Sequence, residues 1–296
     1  MEHKPAVAFI GLGAMGSRMA RRLLAAGFPL AAYDVRPAAS EALVKDGARQ
    51  AETPRAVVEG ADVVVLMVQN HTQAQAVLDG PHGALAGLAD GSTIVVMATL
   101  PPDRVRDLEM LAATRQVGLL DAPVSGGTPG AESGTLSIMI GGAAEQLERC
   151  KPLLETLGSK IYHIGPNVGD GQSAKMVNQL LCGVHLAAAA EAMVLARKAG
   201  LDQAQMLEIV SNSSAASWML QHRAGRMLTR SFDQVFSFLA LLDKDMGIVM
   251  DGAQAVQAPT PLAAAARETF KAGAAMGLST KDDSALIQVY ERLAGL

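Results

Sequence analysis

Short apolar runs alternate with amphipathic segments through the first half of the chain. Gly, Pro or Asp residues punctuate most of the runs, which lie at Ala6–Ile10, Leu30–Tyr33, Asp62–Val68, Thr93–Met97, Gly118–Leu120 and Ser137–Ile140. Between the first two runs, the segment Met15–Ala26 is amphipathic and carries its arginines on one side. Short apolar strands that alternate with helices are typical of βαβ units, in which a parallel sheet is covered on both faces. The pattern therefore predicts an α/β domain.

The pattern changes near Gly165. A single helical pattern without proline runs from Gln172 to Gly200, and Gly200 follows Arg197 and Lys198 as a helix C-cap does. Further helix-like segments with short breaks follow at Gln203–Asn212, Ser217–Leu228, Phe238–Gln257 and Pro261–Met276. We predict an α/β domain over residues 1–164 and an all-helical domain over residues 165–296, joined by the long helix.

Composition excludes several classes of protein. The chain has 296 residues, 25 Lys+Arg, 29 Asp+Glu and a net charge of −4, which argues against nucleic acid or an anionic membrane surface as the main partner. Its two cysteines cannot form a disulfide framework. The six histidines, His3, His71, His82, His163, His185 and His222, show no spacing typical of metal ligands, so no metal is expected.

No targeting or membrane segment is expected either. The first apolar stretch is short and runs directly into Gly11 without a cleavage-site pattern, so it is typical of a strand rather than of a signal peptide. The longest apolar region, Leu180–Leu195, contains His185 and Glu191 and is too short to span a bilayer. We therefore expect a cytoplasmic protein with a buried central helix.

A glycine-rich loop follows the first predicted strand and opens a helix. Gly11, Gly13 and Gly16 match G-x-G-x-x-G, with Leu12, Ala14 and Met15 between them. In this context the three glycines permit a tight turn, close approach of a pyrophosphate, and close packing of helix on strand. Free N–H groups at the helix N-terminus face the phosphates. The loop predicts a dinucleotide site.

Asp34 ends the second apolar run, where an acidic residue would bind the adenosine ribose hydroxyls. A carboxylate there repels a 2′-phosphate, which favours NAD over NADP. Arg36 leaves NADP open, because it would hold a 2′-phosphate or stack on adenine, unless it is simply a solvated surface charge. Val68, Gln69 and Asn70 follow the third run, at the carboxyl end where ligands bind in open α/β sheets, so we expect backbone contacts to the cofactor there.

Five segments resemble the β-hydroxyacid dehydrogenase family, which includes 3-hydroxyisobutyrate dehydrogenase. They are Phe9–Gly27, Asp121–Gly127 (DAPVSGG), Gly169–Leu181 (GDGQSAKMVNQLL), Lys244–Asp251 (KDMGIVMD) and Lys281–Ile287 (KDDSALI). The likeness covers nearly the whole chain and is strongest to the L-threonate dehydrogenase and tartronate semialdehyde reductase branches. It implies a Rossmann domain paired with a helical domain, and a homodimer or homotetramer.

The resemblance also implies roles for particular residues. Lys175 matches the catalytic lysine of the family, and burial at the start of an apolar helix would adapt it to proton transfer near neutral pH. Asn178 lies one turn later on the same face, to bind the substrate hydroxyl or to hold Lys175. Gln179 stands where many relatives have a second Asn.

Other residues of the predicted site lie further apart in the sequence. The family binds the substrate carboxylate at the segment Ser125–Gly127 (Ser125, Gly126, Gly127), although glycines in such a stretch also suit a plain turn. Thr99 matches a residue near the nicotinamide ribose, and Lys244 one at the cofactor end of the site. Asp245 is expected on the substrate or domain-contact side, with an exposed ion pair as the alternative.

Ser237 bears on the substrate. Several relatives that handle small apolar acids have Phe at this place, so Ser favours a polar hydroxy acid of three or four carbons, with threonate-like acids first. The alternatives are 3-hydroxyisobutyrate dehydrogenase and tartronate or succinic semialdehyde reductase.

Two other classes of protein compete with this prediction. Imine reductases of this architecture usually lack the lysine at position 175. A non-catalytic NAD(P)-binding assembly module would need no Lys175, Ser125 or Asn178. Trp218, the only tryptophan, is expected in the core or an interface.

Overall fold

The computed structural model describes residues 4–296, so His3 lies outside the described residues. The chain divides into two compact units, one ending at Lys175 and the other comprising Met176–Leu296. The first is an α/β unit with a Rossmann-type sheet and the second consists of helices. The predicted combination of a Rossmann domain, a long helix and an all-helical domain is confirmed.

The strands of the first unit form one sheet. They are β1 Val7–Ile10, β2 Leu30–Tyr33, β3 Arg49–Gln50, β4 Val63–Leu66, β5 Thr93–Val96, β6 Gly118–Asp121, β7 Val124–Ser125, β8 Leu136–Gly141 and β9 Gly158–Gly165. Their order is β3-β2-β1-β4-β5-β6-β8-β7, with β9 paired to β8, and β1 to β6 are parallel. This order reverses between β1 and β4, and the crevice at such a switch point is where doubly wound sheets bind nucleotides.

Helices cover both faces of the sheet. They are α1 Gly16–Ala25, α2 Pro37–Val44, α3 Pro54–Val57, α4 His71–Asp79, α5 Pro102–Ala113, α6 Gly127–Ser133 and α7 Ala144–Leu157, with a 3₁₀ turn at Ala84–Ala86. Successive residues of β1 enter opposite cores: Phe9 packs with the residues buried under α1, whereas Ile10 belongs to the core on the other face. All four residues of β1 are buried, as expected for a strand covered on both sides.

The sheet is not wholly parallel, which corrects the expectation from the sequence. β8 runs antiparallel to β6 and β7. The short helix α6 turns the chain back beside β7, and neighbouring strands with a short connection pair in antiparallel fashion. β9 then returns parallel to β8 after the longer helix α7. β9 escaped the sequence pattern because most of its residues are exposed, so it has no continuous apolar run.

The second unit is built of helices. They are α8 Asp170–Lys198, which begins in the first unit, then α9 Gln203–Ser211, α10 Trp218–Thr229, α11 Leu239–Ala255, α12 Pro261–Ala275 and α13 Ile287–Leu293, with a 3₁₀ turn at Asp283–Leu286. Glycines bring α8 and α11 close. A Cβ added at Gly183 would lie 2.2 Å from the sulfur of Met246, and one at Gly252 would lie 2.1 Å from that of Met176.

Among residues 4–296, only α8 is long and apolar enough to cross a membrane by length and composition. Half of its most apolar window is buried inside the protein, as in the core helix of a globular domain. The helix is longer than the predicted apolar region Leu180–Leu195, so the prediction that it is too short to span a bilayer is wrong for α8 as a whole. The core of the second unit includes Leu186, Met193 and Phe270.

Candidate active site

The glycine-rich loop has the geometry that a dinucleotide requires. Gly11 has a φ of +95°, and a Cβ there would lie 2.4 Å from the carbonyl oxygen of Met67 at the end of β4. A Cβ at Gly16 would lie 1.9 Å from the carbonyl oxygen of Gly11, so the helix can start this close only with glycine. A Cβ at Gly13 would meet no atom within 4 Å. The loop is therefore tight within the protein and open on the side of Gly13, where a pyrophosphate would fit.

Asp34 ties the end of β2 to this loop. Its Oδ2 accepts a hydrogen bond from the Leu12 N–H at 2.7 Å, and its Oδ1 accepts from the Arg36 N–H at 2.9 Å and Nε at 3.1 Å. Burial by itself would raise the pKa of Asp34, but these hydrogen bonds hold it below its ordinary value. Arg36 is two-thirds exposed, and its Nη2 also donates to Asp34 Oδ2, at 3.5 Å. The two residues predicted to decide the preference between NAD and NADP are therefore in direct contact with each other.

The carboxyl end of β4 is followed by the next predicted residues. Asn70 caps α4, its Oδ1 accepting from the Gln73 N–H at 2.9 Å, and the Gln69 N–H donates to the Gln73 side chain at 3.0 Å. Val68 packs against the core that contains Ile10. These bonds fix the backbone at the place where cofactor contacts are expected. The Met67 N–H donates to the Ile10 carbonyl at 2.9 Å, so the chain just before the loop and the end of β4 are in direct contact.

Two buried polar residues anchor the start of α8 to the strand ends. Asp121, at the end of β6, accepts from the N–H groups of Gly169 at 3.1 Å and Gln172 at 2.8 Å. The Gln172 side chain accepts from the Leu100 N–H at 2.9 Å and donates to the Ala98 carbonyl at 2.8 Å. It thereby clamps the backbone on both sides of Thr99.

Asp121 is fully buried and its Oδ1 has no hydrogen-bond partner within the described chain. Burial raises its pKa to about 7, against the opposite effect of the hydrogen bonds from Gln172 and Gly169. Neither Asp121 nor Gln172 was singled out from the sequence. The signal was available in part, since Asp121 begins DAPVSGG and Gln172 lies in the motif that contains Lys175.

Lys175 lies on α8 one turn beyond Gln172 and is 6% exposed. Asn178 follows one turn later and is half-buried. Its Nδ2 donates to Gln179 Oε1 at 2.8 Å and to Cys182 Sγ at 3.4 Å. Both predicted catalytic residues therefore lie on a single helix, with Lys175 buried and Asn178 half-buried.

Asp245 of α11 joins this part of α8 through Gln179. The Gln179 Nε2 donates to Asp245 Oδ2 at 2.5 Å, and both side chains are buried. Lys244 Nζ lies 3.1 Å from Asp245 Oδ1, which is an ion-pair distance, although the two groups are not aligned as a hydrogen bond. The alternative of an exposed ion pair at Asp245 is wrong, because Asp245 is only 5% exposed.

Ser125 ends β7, and the two glycines that follow take up backbone conformations with positive φ, +131° at Gly126 and +63° at Gly127. Consecutive residues of this kind can turn their N–H groups toward an anion. Ser237 lies just before α11 and is half-buried, and its carbonyl oxygen accepts from the Asp283 N–H at 2.8 Å. Trp218 is half-exposed and stacks on His222 at 3.9 Å between ring centroids, so it is not a core residue.

A metal was not expected from the sequence. Among residues 4–296, no group of three or more His, Cys, Asp and Glu side chains is arranged to hold a metal ion.

Comparison with known proteins identifies two matching family models. The NAD-binding domain of 6-phosphogluconate dehydrogenase matches residues 6–165, and the NAD-binding domain of NADP-dependent 3-hydroxyisobutyrate dehydrogenase matches residues 169–290. The fold and the nucleotide loop thus define an NAD(P)-dependent oxidoreductase.

Three relatives are similar over nearly the whole chain. The 2-hydroxy-3-oxopropionate reductase of Escherichia coli (strain K12) is 40% identical over 97% of each chain, and the L-threonate dehydrogenase of Cupriavidus necator is 37% identical over 96% of this chain and 95% of that one. The crystal structure of 3-hydroxyisobutyrate dehydrogenase from Salmonella typhimurium superposes with a TM-score of 0.90 at 33% identity, covering 97% of this chain and 100% of that one. The chain belongs to the β-hydroxyacid dehydrogenase family, whose members include 3-hydroxyisobutyrate dehydrogenase.

Proposed function

We propose that this enzyme interconverts a small polar hydroxy acid of three or four carbons, threonate-like acids first, with its oxo acid or semialdehyde. The observation that carries the proposal is the buried Lys175, one turn beyond the Gln172 side chain that clamps the backbone around Thr99. A proton-transfer group is thereby fixed relative to the strand ends where the nucleotide loop lies. A catalytic group that is already held in the reacting geometry lowers the entropic part of the activation barrier.

The cofactor is NAD, with NADP as the alternative. When bound, it supplies the hydride acceptor for oxidation of the alcohol. The residues proposed to hold it are the loop Gly11–Gly16, Asp34, Arg36, Val68–Asn70, Thr99 and Lys244. The open side of Gly13 and the Asp34 carboxylate at the loop support this assignment, and the carboxylate favours NAD.

Lys175 is proposed as the general base for alcohol oxidation and the general acid for the reverse reaction. The O–H bond of the alcohol breaks and its proton goes to Lys175 Nζ, while the carbinol C–H bond breaks with its electron pair leaving as hydride and C=O forms. Ser125, Gly126 and Gly127 are proposed to bind the substrate carboxylate, which orients the carbinol carbon. The successive positive φ angles at the two glycines support this role.

The polar substrate is supported by Ser237 and by the buried polar pair Gln179 and Asp245. Ser237 and Asp245 are proposed to contact it, with Asn178 beside Lys175. Two relatives are named for polar acids of three and four carbons, 2-hydroxy-3-oxopropionate and L-threonate. The alternative is a 3-hydroxyisobutyrate dehydrogenase or another semialdehyde reductase. A non-catalytic assembly module would leave the buried Lys175 without a use.

We further propose a cytoplasmic homodimer or homotetramer that binds neither nucleic acid nor membrane, with the functional division of the chain after residue 164. Val177, Leu181 and Leu195 lie on one face of α8 and are 61%, 48% and 68% exposed. Large apolar side chains in such a row are typical of an interface between subunits. Light scattering of the purified protein measures the state directly, and a monomer at micromolar concentration contradicts the proposal.

The decisive experiment is a panel of hydroxy acids with NAD and NADP, followed by NADH or NADPH absorbance. Threonate and other polar acids of three or four carbons should give the highest kcat/KM. Lys175→Ala should lose turnover by roughly a hundredfold or more while it still binds NADH. Preference for 3-hydroxyisobutyrate would overturn the substrate assignment, and normal turnover of the variant would remove Lys175 from its role.

A further inference from the structure

A chain of three hydrogen-bonding side chains runs from α11 to the face of α8 that carries Asn178. Asp245 Oδ2 accepts from Gln179 Nε2 at 2.5 Å, and Gln179 Oε1 accepts from Asn178 Nδ2 at 2.8 Å. Asp245 and Gln179 are both buried, so water does not compete for these bonds. Buried networks of this kind hold their members in one arrangement when every link is satisfied.

The chemistry of Asp245 gives this chain a direction. An ionised carboxylate has acceptors only, so the amide atom of Gln179 that faces it must be the N–H donor. The other end of that amide is then the carbonyl oxygen, and it faces Asn178. Asn178 must in turn present its own NH₂ group to Gln179. One carboxylate thus sets the orientation of two amides, which by themselves bind equally well either way round.

Both hydrogens of the Asn178 amide are thereby engaged. One is donated to Gln179 Oε1 and the other to Cys182 Sγ, one turn toward the C-terminus, at 3.4 Å. Asn178 has no hydrogen left for the oxygen of a substrate hydroxyl. The single proton of that hydroxyl goes to Lys175 in the proposed reaction. The Asn178 carbonyl oxygen therefore needs another donor, and Lys175 stands one turn toward the N-terminus on the same helix.

We propose that Asp245, in addition to its proposed substrate contact, acts through Gln179 to turn the carbonyl oxygen of Asn178 toward Lys175, which gives Asp245 and Gln179 a positioning role in the proton transfer. This inference rests on the proposed function of Lys175. The carbonyl oxygen accepts from the Lys175 ammonium group and stabilises its protonated form. Asn178 then serves to hold the lysine rather than to donate to the substrate hydroxyl, because such donation needs a free N–H on the Asn178 amide.

The test uses Asp245→Asn and the double variant Asp245→Asn/Gln179→Glu. The single change replaces the carboxylate by an amide, which donates as well as accepts and no longer sets the direction. In the double variant the amide introduced at position 245 donates to the carboxylate introduced at position 179. That carboxylate has acceptors only, so it again engages the NH₂ group of Asn178. The pair keeps its atoms nearly in place and its net charge unchanged.

Asp283→Asn is the matched control. Asp283 is also buried in the second unit and is paired with Arg223 at 2.7 Å, but it lies outside the chain of hydrogen bonds. Its replacement removes one buried carboxylate from the same unit and should reduce stability without moving the pH profile of turnover. Thermal unfolding and NADH titration of every variant establish that it folds and binds the cofactor.

At saturating cofactor, Asp245→Asn should lower kcat by roughly tenfold to a hundredfold, as expected for a misplaced catalytic group. The low-pH limb of kcat/KM for alcohol oxidation should move to lower pH, because the ammonium form of Lys175 has lost an oriented acceptor. The double variant should recover most of kcat and the position of the limb. A folded Asp245→Asn enzyme with the wild-type profile, or a folded double variant without recovery, overturns the proposal.

A second readout separates this inference from the proposed function. The titration of the Lys175 Nζ, followed by NMR of ¹⁵N-lysine-labelled protein and assigned with Lys175→Arg, needs no substrate. It should move to lower pH in Asp245→Asn and return in the double variant. If the wild-type enzyme oxidises no acid of the panel, the proposed function fails, and the lysine titration still decides whether Asp245 acts on Lys175.

Discussion

The carboxylate of Asp121 accepts a hydrogen bond from the backbone N–H of Gln172 at 2.8 Å, in the first turn of the helix that carries Lys175. The carboxyl end of β6 and the start of α8 are thus held together by a side chain with no exposed surface. An acceptor at a helix N-terminus satisfies N–H groups that have no partner within the helix. This bond and the hydrogen bonds of the Gln172 side chain fix the start of α8, and with it the position of Lys175, relative to the strand ends.

The first prediction concerns the pH dependence of stability. The pKa of Asp121 is raised to about 7 in the folded protein from 3.8. Between these values the folded state retains a proton that the unfolded state has released, so stability falls as pH rises from about 4 to about 7. Asp121→Asn stays neutral and keeps a carbonyl acceptor. It should flatten this fall, by at most about 4 kcal/mol, in urea unfolding at pH 4 and pH 8.

The slope with pH is the quantity to compare, because the introduced NH₂ group lacks a partner and lowers stability at every pH. Asp107→Asn, on the exposed face of α5, serves as the control and should keep the shape of the wild-type curve. An Asp121→Asn curve parallel to the wild-type curve would show that Asp121 is ionised throughout this range.

The second prediction concerns Gln172. Gln172→Leu fills a similar volume but leaves the Leu100 N–H and the Ala98 carbonyl unpaired in the interior. The variant should lose about 2–6 kcal/mol of unfolding free energy, since each of the two buried unpaired groups costs about 1–3 kcal/mol. It should also lose kcat, because the clamp around Thr99 and the start of α8 are released together. Gln75→Leu on the exposed side of α4 should change stability by less than about 0.5 kcal/mol. Equal stability of the two variants would show that the Gln172 side chain does not stabilise the backbone on either side of Thr99.

The third prediction separates two glycines of the nucleotide loop. Gly16→Ala places a methyl group 1.9 Å from the Gly11 carbonyl oxygen, so the loop must open and the protein should be strongly destabilised. Gly13→Ala places its methyl group where no protein atom lies within 4 Å. It should keep its melting temperature to within about 2 °C and yet bind NADH at least about tenfold more weakly. Differential scanning fluorimetry and NADH fluorescence titration measure the two effects. Undiminished NADH affinity in Gly13→Ala would place the pyrophosphate elsewhere.

The fourth prediction concerns the choice between NAD and NADP. Asp34→Asn keeps an acceptor for the Leu12 N–H and removes the negative charge that repels a 2′-phosphate. The ratio of kcat/KM for NADP to that for NAD should rise by about tenfold or more, because a like-charge contact costs several kcal/mol. Arg36→Ala is the matched change on the other partner and should weaken NADP more than NAD. If the ratio stays constant in Asp34→Asn, the carboxylate does not read the 2′ position.

Most of the candidate site could be predicted from local sequence because its chemistry is local. The glycine loop, Asp34 at the end of β2, and the strand-end residues Val68 and Asn70 each follow a short, continuous apolar run. Lys175 and Asn178 share a helix face by spacing alone. The residues that were missed, Asp121 and Gln172, act through bonds to backbone far away in the chain, and no period marks such a partner.

The sequence by itself determined the alternation of strands and helices, the nucleotide loop and the change to helices in the second half. Continuous apolar runs, the helical period of 3.6 residues and the special backbone freedom of glycine are local properties. Only the tertiary structure decided that β8 runs antiparallel, that Trp218 is half-exposed, and that Asp245 reaches Asn178 through Gln179. Strand direction and buried polar pairing depend on which distant segments meet in the packed core. A carboxylate can orient a neighbouring amide only where burial keeps water from competing for the hydrogen bond.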